Sequence, residues 1–227
     1  MKYAIALLIP ALLAGASRAD LEKARNAQDR AGLDKMGQAS AAVASQKPKD
    51  VAALYDNALV HSYIAEVALE VRDKNRAKSA AETGIASAQA AVAIEPKRAE
   101  LHRVLGTLCG LVIPANVLAG LKYGKCAQDE IQKALELEPK TALNWVSSGV
   151  GKYYLPASFG GGPDLAIKDF EKAISLDAKL AEAHMWLGLG LRKSNRNAES
   201  HKAFEKALEL NPSRIWIKQQ LDKTPAK

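Results

Sequence analysis

Apolar residues recur at helical spacing along most of the chain, and four of these runs end in near-copies of one phrase: AVAIEPK at Lys97, ALELEPK at Lys140, AISLDAK at Lys179 and ALELNPS at Ser213. Each reads as the last turns of an amphipathic helix, closed in three cases by a proline that lacks a backbone donor and turns the chain away. Aligned on Pro96, Pro139, Ala178 and Pro212, the copies lie 43, 39 and 34 residues apart. Self-similarity at such periods predicts stacked helical hairpins, because one hairpin cannot bury its own apolar stripe. The expected fold is therefore an all-α helical-hairpin solenoid. Its hairpins fall near 51–96, 99–139, 142–178 and 181–212, within one domain over 20–227. Residues 21–45 predict a further helix, ended at Lys47-Pro48, and 213–222 a C-terminal capping helix in which Ile215, Ile217 and Leu221 cover the last hairpin.

The last unit, residues 181–214, resembles the tetratricopeptide repeat family. Leu187-Gly188, Phe204, Ala207 and Pro212 stand where that family has its Leu-Gly, aromatic, Ala and Pro, while His184 replaces its usual Trp. The unit at Ala142 keeps the register through Trp145, Gly149, Ala166, Phe170 and Ala173, and the unit at Ala99 through Leu105-Gly106, Ala127, Ile131, Ala134 and Pro139. These two carry five and nine extra residues between their helices, within 154–162 and within GLVIPANVLAGLKYGK. The long inter-helix loops, with Ser158-Phe159-Gly160-Gly161-Gly162, are also similar to helical-repeat proteins related to regulators of microtubule dynamics and to periplasmic tetratricopeptide subunits associated with transporters.

Composition adds an address to this picture. Lys2, the apolar run Ala4 to Leu13 and Ser17-Arg18-Ala19 read as a signal peptide cleaved after Ala19, too short in its apolar part to span a membrane. A periplasmic or secreted protein follows, not transmembrane once cleaved. The formal charge of +7 falls to +5 without the two basic residues of that segment. Acids alternate with bases along most helices, and no basic run or aromatic platform argues for nucleic acid. Cys109 and Cys126, the two cysteines of the chain, are separated by sixteen residues. They read as a disulfide in an oxidising compartment or as two small buried apolar side chains.

Chemistry is sparse. His61, His102, His184 and His201 show no metal-ligand spacing, and no catalytic motif is present, so neither metal, cofactor nor enzymatic activity is expected. His102 and His184 share a repeat position that the family uses for packing. Gly160, Gly161 and Gly162 before Pro163 read as an inter-helix turn in preference to an anion site. The resemblance implies a concave groove lined by the first helix of each hairpin. Its positions give Glu100, Arg103, Thr107 and Gly110, then Leu143, Val146, Val150 and Tyr153, then Glu182, Met185, Leu189 and Arg192, a mixed set with an apolar middle and two arginines at the flanks. The expected function is an exported interaction scaffold or adaptor for a protein or peptide segment. A small-ligand or transporter accessory protein, with residues 113–123 and 154–162 roofing the groove, is the alternative.

Overall fold

The computed structural model describes residues 17–115 and 117–226, which form eleven α-helices and no strand among the described residues. Residues 1–16 of the expected signal peptide lie outside them. Two helices, α1 (Arg18–Asn26) and α2 (Arg30–Gln46), precede four antiparallel hairpins. These pair α3 (Val51–Glu70) with α4 (Lys74–Ile94), α5 (Ala99–Val112) with α6 (Val117–Leu137), α7 (Ala142–Tyr154) with α8 (Pro163–Leu176), and α9 (Ala181–Lys193) with α10 (Asn197–Leu210). The last helix, α11 (Ile215–Leu221), packs on α10. None of the described helices is long and apolar enough to cross a membrane.

The helix expected over 21–45 is two helices. Asp29 interrupts it by accepting a hydrogen bond from the Gly32 backbone N–H, which starts α2, and Gln28 takes a left-handed conformation with φ 52° to turn the chain. Asp50 and Asp73 cap α3 and α4 in the same way. From α5 onward the first helix of each hairpin has no side-chain cap. A different device recurs there. The ring nitrogens of His102, Trp145 and His184 lie 2.7–3.0 Å from the carbonyl six residues earlier, on Pro96, Pro139 and Ala178. One repeat position thus pins each helix to the turn that precedes it.

Within a hairpin the helices meet at glycine. A β-carbon at Gly149 would lie 2.4 Å from the buried Phe170 ring, and one at Gly188 would lie 2.9 Å from Phe204. Ser200 closes the last hairpin further by donating its hydroxyl to the Gly188 carbonyl at 2.7 Å. Between hairpins, successive first helices (α3, α5, α7, α9) pack directly on one another, whereas α4, α6 and α8 pack on the first helix of the next unit. The first helices therefore form the crowded inner curve of the stack. The core divides into a cluster fed by α1 to α6 and a second fed by α7 to α11, with a small satellite at Ile167, Leu191 and Ala203. A disulfide joins Cys109 of α5 to Cys126 of α6.

Candidate interaction groove and its N-terminal clasp

The inner curve is not empty, because α1 lies along it. At the start of α1 the Arg18 guanidinium donates to the Tyr55 hydroxyl of α3 at 3.0 Å, and that hydroxyl donates in turn to the Glu100 carboxylate of α5. At its end Arg25 stacks over the Tyr63 ring at 4.7 Å and reaches two helices at once. It donates to Glu66 of α3 at 2.5 and 2.7 Å and to Glu182 of α9 at 3.0 Å. Glu100 and Glu182 are expected groove positions of the unit at Ala99 and of the last unit. Leu21 and Ala24 supply the apolar side of the same helix.

The two ends of the solenoid meet at this point. Arg214, in the turn between α10 and α11, is 2% exposed and donates to the Arg25 carbonyl at 3.1 Å, to Glu66 at 2.9 Å and to both carboxylate oxygens of Glu70. Asn26 donates to Ser213 at 3.2 Å, and Gln28 donates to Glu70 at 2.8 Å. Two guanidinium groups therefore share three carboxylates. For Glu66, burial pushes the carboxyl up, but Arg25 and Arg214 together pull it below the usual carboxylate range. For Glu70, burial and then the neighbouring Glu66 charge outweigh Arg214, and its carboxyl is raised. Both carboxylates are partly buried and are held there by that pairing.

An aromatic cluster flanks the clasp. Tyr153 and Tyr154 at the end of α7 meet Trp186 of α9 edge-on at centroid distances of 5.9 and 6.2 Å, and Trp186 meets Trp216 of α11 at 5.9 Å. The Tyr154 hydroxyl is pushed up to about 12 by its crowded surroundings first, then by Tyr153, Glu66 and Glu70. Its outer face stays open, at 59% exposure.

The groove residues expected from the repeat register occupy different depths. Arg103 and Thr107 lie on α5, where Arg103 approaches Glu100 at 3.6 Å and Thr107 approaches Ser147 of α7 at 3.5 Å. Tyr153 joins the aromatic cluster, with the Lys193 ammonium over its ring at 4.3 Å. Val146, Met185 and Leu189 are buried in the C-terminal core with Phe170 and Ile217. Arg192 is committed to α11, donating to Gln220 at 2.7 Å and to Thr224 at 3.1 Å. The clasp residues Arg25, Glu66, Glu70 and Arg214 escaped the sequence reading. Their available signal was Glu66 and Glu70, two acids one helical turn apart inside the apolar run of α3.

Both inserted segments are tied to neighbouring elements. Residues 117–123 continue α6, and Tyr123 donates its hydroxyl to Glu82 of the outer helix α4 at 2.9 Å. In the second insertion, Gly161 and Gly162 spend their N–H groups on the Pro156 and Lys152 carbonyls at 3.1 and 2.8 Å. No side chain fits at Gly161, since a β-carbon there would meet the Leu155 carbonyl oxygen at 2.1 Å.

Stacked antiparallel hairpins with a small residue at each crossing, a shared inner curve and a terminal capping helix define a tetratricopeptide-type solenoid, the architecture of protein-interaction scaffolds. The tetratricopeptide repeat description matches residues 181–214. Residues 20–155, more than half of the chain, match the family described as regulator of microtubule dynamics protein 1-3, and the chain belongs to that family. No curated protein sequence matches significantly. Among solved structures, a thermophilic TPR protein of Thermus thermophilus is 19% identical with a TM-score of 0.64, the match covering 92% of this chain and 98% of that one. The HusA haemophore of Porphyromonas gingivalis is 18% identical with a TM-score of 0.59, over 80% of this chain and 96% of that one. At those identities the likeness is one of fold.

Proposed function

We propose that the protein is an exported adaptor of the cell envelope that grips a protein or peptide segment along the inner curve of its solenoid. The observation that carries this reading is that the curve already holds a helix. The seven residues of α1 that cleavage after Ala19 would leave, 20–26, seat there through Arg25, which pairs with Glu66 and Glu182 and stacks over Tyr63 of α3. A surface that fits one helical segment in cis has the width and the polar anchors to fit one in trans. Arg103, Thr107 and Tyr153 are the expected groove positions that a partner can approach without breaking into the core. The buried Val146, Met185 and Leu189 set the rigidity of the wall behind them, and Arg192 holds the capping helix in place.

Export is part of the same proposal, supported by the apolar leader, the small residues before Asp20 and the Cys109–Cys126 disulfide, a bond that persists in oxidising compartments. The test is fractionation of the producing cell with N-terminal sequencing, together with crosslinked capture by the wild type and by a Thr107→Glu variant. A mature chain beginning at Asp20 in the envelope fraction, and a reproducible partner lost on Thr107→Glu, is the expected result. A cytoplasmic chain retaining its leader overturns the export reading. A capture profile unchanged by the groove charge overturns the adaptor reading.

A further inference from the structure

The clasp also describes what the groove recognises. Arg18, Leu21 and Arg25 stand at i, i+3 and i+7 on α1 and so share one face. Each has its own receptor: Tyr55 backed by Glu100 for Arg18, the N-terminal core for Leu21, and the Glu66–Glu182 pair for Arg25. Without Arg25 the three carboxylates Glu66, Glu70 and Glu182 would face Arg214 alone among the groups that pair with them across the solenoid ends. The site is thus short of positive charge unless a guanidinium fills it.

We propose that α1 is a self-supplied occupant of this site, and that the partner is an amphipathic helix presenting two arginines two turns apart with a leucine between them, which displaces α1 and takes over its contacts. This deepens the adaptor reading and rests on it. Several features make α1 displaceable. At nine residues it is too short to persist as a helix by itself. It buries two apolar side chains, Leu21 and Ala24, and is otherwise held by polar groups. Its connection to α2 is a three-residue turn through Gln28 in a left-handed conformation. That short tether holds α1 at an effective concentration of the order of millimolar, so it competes against any partner in solution. Processing after Ala19 would remove Ser17 and Arg18, leaving Tyr55 and Glu100 to a partner's own arginine. In the exported chain the occupant is then weaker than in the unprocessed one.

The test uses a fluorescein-labelled peptide of residues 17–29, titrated by anisotropy into the full chain and into its Arg25→Ala variant. The expected result is at least tenfold tighter binding to the variant, because its own α1 has lost its anchor. Binding should be abolished when the peptide itself carries Arg25→Ala, or when Glu66→Gln and Glu182→Gln are added to the variant chain. Equal affinity of wild type and variant, or indifference to the peptide's arginine, overturns the proposal. Should Arg25→Ala fail to fold, the wild type serves, read by amide exchange at millimolar peptide. Faster exchange over residues 18–26 with retained protection of 63–70 upholds the displacement, and no change over 18–26 overturns it. Concentration-dependent dimerisation that protects α1 also overturns it, since α1 would then seat on a second copy. Peptide binding without any captured envelope partner upholds the groove chemistry and removes the adaptor reading. A partner captured through Thr107 whose binding is indifferent to Arg25→Ala does the reverse.

Discussion

Two glycines two residues apart on α7 show how sharply position decides the effect of a single methyl group. At Gly149 a β-carbon would press into Phe170, a ring fully buried between α7 and α9, whereas at Gly151 nothing lies within 4 Å. Replacing glycine by alanine inside a helix gains roughly 0.5–1 kcal/mol from the unfolded chain's lost freedom. Overpacking a dense core costs about 1–3 kcal/mol. Gly149→Ala is therefore expected to destabilise the fold by about 1–2 kcal/mol net, and Gly151→Ala to stabilise it by up to about 1 kcal/mol. Urea denaturation of the two variants checks this, and a Gly149→Ala protein as stable as wild type would show that α7 and α8 are not in van der Waals contact there. Such contact residues were legible in the sequence because they repeat. Gly149 with Phe170, and Gly188 with Phe204, stand in the same register. The ring-to-carbonyl pins of His102, Trp145 and His184 were legible as a shared position but not as hydrogen bonds, since register gives a residue its neighbours and not its ring orientation.

At the scale of elements, α5 and α6 form the hairpin with the longest insertion, and the Cys109–Cys126 bond spans it. A disulfide closing a loop of this size contributes about 3 kcal/mol in the chain-entropy account. Reduction is expected to lower stability by about that amount and to release first the segment around 113–126, seen as faster amide exchange there than in α9 and α10. Uniform exchange on reduction would place the bond's effect elsewhere. The opposite end of the chain carries a second expectation. Ser17 and Asp20 form a reciprocal capping box at the start of α1, and Arg18 ties that start to Tyr55. A chain beginning at Asp20 loses both and gains a positive terminus at the helix end that disfavours it. Loss of the cap alone costs about 1 kcal/mol. The processed chain should accordingly exchange its α1 amides faster than one beginning at Ser17, with α2 to α11 unchanged. Equal protection of α1 in the two would mean that Arg25 alone secures it. Here the sequence misled: residues 21–45 have continuous helical spacing, and the break at Gln28-Asp29 depends on one side-chain cap that periodicity does not register.

At the scale of the whole molecule, closure of the solenoid was invisible in the sequence, because Arg25 and Glu182 are 157 residues apart and their meeting depends on accumulated curvature that no local pattern states. That closure carries a signed pH dependence. Glu70 is raised, so the stability linked to its protonated form is complete below its ordinary value of 4.5 and is lost as pH rises through the raised one. Glu66 is lowered, so its contribution is complete above 4.5 and is lost as pH falls through the depressed value. On acidification from neutrality Glu70 takes a proton first. This removes its repulsion with Glu66 and leaves the two guanidinium groups balanced by the remaining carboxylates, Glu66 and Glu182. Only further acid, below 4.5, protonates Glu66 and strips Arg25 and Arg214 of their shared anchor. The ends of the solenoid are therefore expected to stay clasped from pH 7 to about 4.5 and to part below it. Emission from Trp216, whose ring lies 5.9 Å from the Arg214 guanidinium, reports the parting. A Glu70→Gln variant should stay clasped through the upper range and lose the clasp at the same low pH as wild type. Parting between about pH 7 and 5 in the wild type would instead assign the holding role to Glu70, whose loss of charge would then release Arg214 before Glu66 titrates.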